Sequence, residues 1–161
     1  MTTGPVETAK AYEEPSIRQF SAFVPNLVGQ LRSLVDLFVG QGVHIVALDV
    51  IDSIDWAVVR MIFSDSNKAR AILQRAKWPF TECQMLAVEL PSPDALAGLA
   101  RALLAAELNL HVIYPLLVTA HGRAVVAVHV DDSSLATQVL KARGFTLLDQ
   151  SDIWTSGTPE S

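Results

Sequence analysis

Cysteine is almost absent from this chain: Cys83 stands alone among 161 residues, which excludes an internal disulfide and any multi-cysteine metal site. Positive charge is also scarce. Twelve basic residues scattered against 17 acidic ones leave a net charge of −5, so no electrostatic footprint exists for a phosphate backbone and nucleic acid is not an expected partner. No apolar run approaches the roughly 18 residues a spanning helix needs. The start, Met1 to Pro15, is polar and acidic where a signal peptide requires an apolar stretch, so a cytoplasmic protein without membrane contact is expected. No Gly-rich phosphate loop, nucleophile elbow or Ser/Cys triad is present. The four histidines fall at no recognised ligand spacing: His111 lies near a strand start, His121 in a turn and His129 in a strand. No metal, no cofactor and no catalytic residue is therefore expected. Trp56, Trp78 and Trp154 read as packing residues.

What the chain does have is one hydrophobic pattern written twice. Ala57-Val58-Val59-Arg60-Met61-Ile62-Phe63-Ser64-Asp65 reads against Ala124-Val125-Val126-Ala127-Val128-His129-Val130-Asp131-Asp132, and Trp78-Pro79-Phe80-Thr81 against Arg143-Gly144-Phe145-Thr146. Each unit of roughly 65 residues is near the lower limit for independent stability, so the two should pack together. An apolar fraction of 50% and a mean hydropathy of +0.33 predict extensive burial, including a surface shared with another copy; a homodimer is expected.

Within the first unit, Arg18 to Val24 alternates as a strand, and Leu31, Leu34, Val35 and Phe38 recur at helical spacing until Gly40 and Gly42 stop them. Val43 to Val50 and Trp56 to Phe63 read as strands, Ser64-Asp65-Ser66-Asn67 starts a second helix, and Pro79 leads to a last strand. The second unit repeats the order, with Ser92-Pro93 opening its first helix. The fold class is α+β: two ferredoxin-like βαββαβ sandwiches in tandem, each an antiparallel sheet with both helices on one face. The domains are set at 17–83 and 84–153, between tails at 1–16 and 154–161, and Phe80 to Cys83 runs almost directly into Met85 to Leu90.

Asn26-Leu27-Val28-Gly29-Gln30-Leu31, followed by Gly42-Val43-His44-Ile45, resembles the ACT domain pattern Asn-x-Pro-Gly-x-Leu, helix, Gly-Ile-Asn-Ile. The second unit resembles it through Pro93-Asp94-Ala95-Leu96 and Glu107-Leu108-Asn109-Leu110. The resemblance implies a tandem ACT protein with no catalytic domain, its units paired edge to edge into a larger sheet. It further implies a ligand, an amino acid above all, at the seam between the loop before one unit's first helix and the second strand of its neighbour. On that reading Asn26, Leu27, Val28, Gly29 and Gln30 face Asn109 and make one competent site. Val28 replaces the family's proline, His44 its asparagine, and Asp94 its second glycine, which puts a negative charge where a ligand carboxylate would sit. Tyr114 could line a pocket at the same seam or serve as strand packing.

The physical chemistry agrees with the loop assignment. A helix N-terminus offers unpaired N–H groups to a carboxylate, a glycine admits close approach, and an Asn amide both donates and accepts, although Asn before a helix is also ordinary capping chemistry. The implied function is a regulatory protein that senses an amino acid and modulates an enzyme of amino-acid biosynthesis. Two alternatives stay open: an assembly or dimerisation module that has lost its ligand, and a small cofactor-free enzyme, which would need His44 or His129 buried beside a carboxylate.

Overall fold

In the strand Ile17–Pro25 (β1), Phe20, Ala22 and Val24 go to one face while Ile17 and Gln19 go to the other, the period of two that a pleated strand imposes. The computed structural model describes residues 14–26 and 28–154, and the elements follow the order read from the sequence. After β1 come α1 (Gln30–Asp36), β2 (Ile45–Asp52), β3 (Trp56–Phe63) and α2 (Ser66–Arg75), then β4 (Phe80–Leu90). The second unit supplies α3 (Ala95–Ala105), β5 (Leu110–Ala120), β6 (Arg123–Val130), α4 (Ser133–Ala142) and β7 (Thr146–Leu148), closed by a short α5 (Gln150–Ile153).

The repeat extends to individual hydrogen bonds. Asp65 and Asp132 cap α2 and α4, their carboxylates accepting from the backbone N–H of Lys68 (3.0 Å) and Leu135 (2.9 Å). Both helices end in the same two-bond arrangement, Trp78 N–H to the Leu73 carbonyl and Phe145 N–H to that of Leu140. The residue at the turn is left-handed in each case, Lys77 at φ 55° and Gly144 at φ 85°; α3 ends likewise at Glu107, φ 56°.

Strand β4 is shared. Its first half pairs with β1, from Ile17↔Met85 to Ala22↔Phe80, and its second half pairs with β6, from Leu86↔Val128 to Leu90↔Ala124, and with β7. The sheets are thus β4-β1-β3-β2 and β7-β4-β6-β5, continuous through one strand. Three apolar clusters result. One lies between the first sheet and α1 and α2, around Phe20, Leu34, Phe63 and Leu73; another between the second sheet and α3 and α4, around Val88, Leu99, Leu103 and Leu140.

The third cluster joins Ile17, Val46, Ile62, Met85 and Ala87 to Leu116, Val125, Ala127 and Leu148, and β2 packs against β5. The faces free of helices therefore lie on each other, giving the layers helix, sheet, sheet, helix. The units are joined edge to edge into one larger sheet through β4, as expected, and that sheet is folded so that its helix-free faces meet. Helices cover only one face of each sheet, so a flat arrangement would leave these apolar residues in water, whereas strand twist along the shared β4 turns the two faces together. α5 fastens the arrangement: Gln150 Nε2 donates to the Phe63 carbonyl at 2.6 Å, and Ile153 enters the central cluster. Among the described residues, no helix is long and apolar enough to cross a membrane.

Candidate functional site

The loop from β1 to α1 is held open by its backbone. Gly29 takes φ 87° at the N-cap position of α1, where no side chain caps the first turn, and a Cβ there would meet nothing within 4 Å. Among the described residues no side chain takes up the leading N–H groups of α1. Val28 is fully exposed and Gln30 is half-buried, while Leu27 lies outside the described residues. Asn26 is not free to turn toward a ligand: its Nδ2 donates to Asp52 Oδ1 (2.9 Å) and to the Ser53 carbonyl (3.1 Å), and its backbone N–H donates to the Asp55 carbonyl (3.1 Å). The loop is therefore pinned to the β2–β3 turn, whose Ile54 and Trp56 are exposed beside it, 93% and 53%.

Asn109 sits in a different clamp. Its Nδ2 donates to Asp131 Oδ2 (3.0 Å) and its backbone N–H to Asp131 Oδ1 (3.2 Å), which ties the start of β5 to the end of β6. His44 is its counterpart in the first unit, its backbone N–H donating to Ser64 Oγ at 2.8 Å. Because β2 is antiparallel to β3, it carries Asp52 to Asn26 but leaves His44 at the far end of the sheet, where the imidazole stacks on Trp154 with centroids 4.6 Å apart. Among the described residues no hydrogen bond joins the 26–30 loop to Asn109, so face-to-face packing does not assemble the within-chain seam.

Tyr114 lies between the sheets. Its buried hydroxyl donates to Gln19 Oε1 at 2.7 Å, across the two units, and Gln19 Nε2 donates onward to Ser21 Oγ and Cys83 Sγ, both at 3.3 Å. Burial, and after it the neighbouring Cys83 and Asp49, pushes the phenol well above the ordinary tyrosine range; burial likewise raises the Cys83 thiol. Both groups stay protonated and serve as packing and hydrogen-bonding residues. Gln19 was not singled out by sequence reasoning, since its side of β1 also carries Ser21 and gave no clean apolar face against which an amide would stand out.

His129 lies beside His111, ring centroids 5.4 Å apart, and among the described residues neither it nor His44 contacts a carboxylate. No group of three or more His, Cys, Asp or Glu among those residues could hold a metal ion. The arrangement that a cofactor-free acid–base site would require is not formed at either histidine.

The family model for the ACT domain pair matches residues 15–155. Protein BT0572 from Bacteroides thetaiotaomicron is similar in structure, with a TM-score of 0.78 at 23% identity over 87% of this chain and 96% of that one. The regulatory subunit of aspartate kinase from Thermus thermophilus superposes with a TM-score of 0.56 at 11% identity, over 80% of this chain and 92% of that one. The corresponding subunit from Thermus flavus gives 0.52 at 9%, over 81% and 93%. No curated protein matched.

Proposed function

The chain belongs to the ACT domain pair family, and from that membership we propose that it is a regulatory protein, not an enzyme, which binds an amino acid at the β1–α1 loop and modulates a partner enzyme of amino-acid biosynthesis. One observation carries the reading: Gly29 holds a left-handed backbone with open space above it, ahead of an uncapped helix start and beside a pinned turn. A carboxylate could approach the backbone at Gly29, where among the described residues nothing lies within 4 Å of the place a Cβ would take.

The second half of the site comes from another copy. Asn109 is committed within its own unit, while Val28, Ile54 and Trp56 form an exposed apolar rim around the loop that a homodimer partner would cover. Binding then changes the dimer seam, and a partner enzyme responds to that change through its differing affinity for the two arrangements. The assembly-module reading keeps one specific support, since Asn26 spends its amide on Asp52 and Ser53 and not on a ligand.

Thermal unfolding of the dialysed protein against each common amino acid at millimolar concentration tests the proposal. A ligand at 100 times its dissociation constant stabilises by about 2.7 kcal/mol. One amino acid should raise the midpoint while its close analogues do not, and Gly29→Asp should abolish that shift while leaving the dimer intact. A flat panel refutes amino-acid sensing in favour of assembly.

A further inference from the structure

The two units carry the same irregularity at the same place. In the first, β2 pairs with β3 at Ile45↔Phe63 and next at Ala47↔Ile62, so Val46 is an extra, bulged residue. In the second, β5 pairs with β6 at Leu110↔Val130 and next at Val112↔His129, and the extra residue is His111. A bulge of this kind turns two successive side chains to one face of the sheet. Val46 and Ala47 accordingly both enter the cluster between the sheets together with Ile62, and all three are fully buried. Their counterparts His111, Val112 and His129 share the equivalent face of the second sheet.

Matching bulge to bulge sets His111 against Val46 and His129 against Ile62. Two buried aliphatic residues of the first unit are thus both histidine in the second, and the two rings meet, with centroids 5.4 Å apart and planes at 46°. His111 is exposed and His129 half-buried, so the pair stands at the rim of the packed faces. A rim position calls for a polar residue, but not for an imidazole, and not for two in contact. Among the described residues neither ring hydrogen-bonds to a protein group. A neutral imidazole keeps a lone pair on one ring nitrogen, so the pair offers two such nitrogens side by side.

Zinc–nitrogen bonds are about 2.0–2.1 Å long and the ring centre lies about 1.1 Å behind the nitrogen, so two imidazoles on one tetrahedral ion have centroids about 5 Å apart. The observed separation is close to that. We propose that His111 and His129 together hold one divalent ion of the kind that prefers imidazole, Zn²⁺, Ni²⁺ or Cu²⁺, at the bulge of the second unit. No third His, Cys, Asp or Glu among the described residues completes the shell, so water fills the remaining positions. A pair of nitrogens without a carboxylate disfavours Mg²⁺ and Ca²⁺, which take oxygen ligands. The first unit, with Val46 and Ile62 at the same positions, holds no ion there. The site shares no residue with the Gly29 loop and stands or falls independently of amino-acid sensing.

The full-length protein, stripped with chelator and titrated with Zn²⁺, tests this by calorimetry and by NMR of the ¹⁵N-labelled imidazoles. One ion per chain is expected, with the ring signals of His111 and His129 shifted and those of His44 and His121 unmoved. Cu²⁺ should bind more tightly and Mg²⁺ not at all. His111→Ala, at an exposed position, should weaken Zn²⁺ binding at least about tenfold, the scale reached by losing even an outer partner of a metal ligand. His111→Val combined with His129→Ile installs the first unit's own pair and should abolish binding in a chain that still folds, whereas His121→Ala should leave it unchanged. Undiminished Zn²⁺ affinity in His111→Ala overturns the proposal even if the double variant fails to fold. Ring shifts at His44 or His121 alone overturn it too, as does a titration that yields neither heat nor shift.

Discussion

Removing one oxygen atom measures whether the two sheets face each other. In Tyr114→Phe the Gln19 Oε1 atom, buried between the units, loses the 2.7 Å hydrogen bond it accepts from the phenol. A buried acceptor left unsatisfied costs about 1–3 kcal/mol. For a chain of this length each kcal/mol lowers the midpoint by about 2–4 °C, so a fall of several degrees is expected. Urea unfolding should show the loss as a reduced midpoint at unchanged slope. Gln19→Met combined with Tyr114→Phe should cost less than the two single changes added, a coupling of about 0.5–3 kcal/mol, because the pair is removed together. The same burial raises the phenol's pKa in the folded state above its unfolded value of about 10. Its contribution is therefore complete below about pH 10 and is lost as pH rises through the folded value. A single-mutant effect within about 0.5 kcal/mol, with no coupling, is the behaviour of an exposed pair and would refute face-to-face packing.

Glu107 ends α3 at φ 56°, where a side chain strains the backbone and glycine does not. Glu107→Gly should raise stability by up to about 1 kcal/mol after the added chain entropy of glycine is set against the relief, visible as a midpoint higher by a few degrees in calorimetry. Arg70 grips Glu82 with two hydrogen bonds, 2.8 and 2.5 Å, which holds that carboxyl below its usual range, and bonds from Ser151 and Asp152 lower Asp149 in the same sense. Lowered folded pKa values give stability that is present above about pH 4 and lost as pH falls through them, so urea midpoints should drop on acidification below that point. Glu82→Gln should lower the neutral-pH midpoint and flatten that acid dependence.

Much of the architecture is local and was legible. Alternation in Arg18 to Val24, the helix start around Asp65 and the stop at Gly40 and Gly42 each follow from residue type and spacing within a few positions. Their repetition fixed two βαββαβ units without any knowledge of contacts between them. The Gly29 loop was legible for the same reason, since a glycine before a helix start is a statement about neighbouring residues.

Relations between distant residues were not legible. Tyr114 and Gln19 are 95 positions apart, and nothing in either neighbourhood announces their bond. Asn26 and Asn109 carry the right chemistry for one seam, but their carboxylate partners, Asp52 and Asp131, come from the strands folded against them. Short α5 fell below the length at which hydrophobic period speaks, and Trp154, placed by sequence in a tail, stacks on His44. The sequence by itself thus determined the main strands and helices, their order and the place of the glycine before α1, because those depend on backbone sterics and on neighbours along the chain. Which faces meet was decided only by the tertiary structure: a strand's period of two says that one side is apolar, and only the twist of the shared β4 selects the surface that covers it.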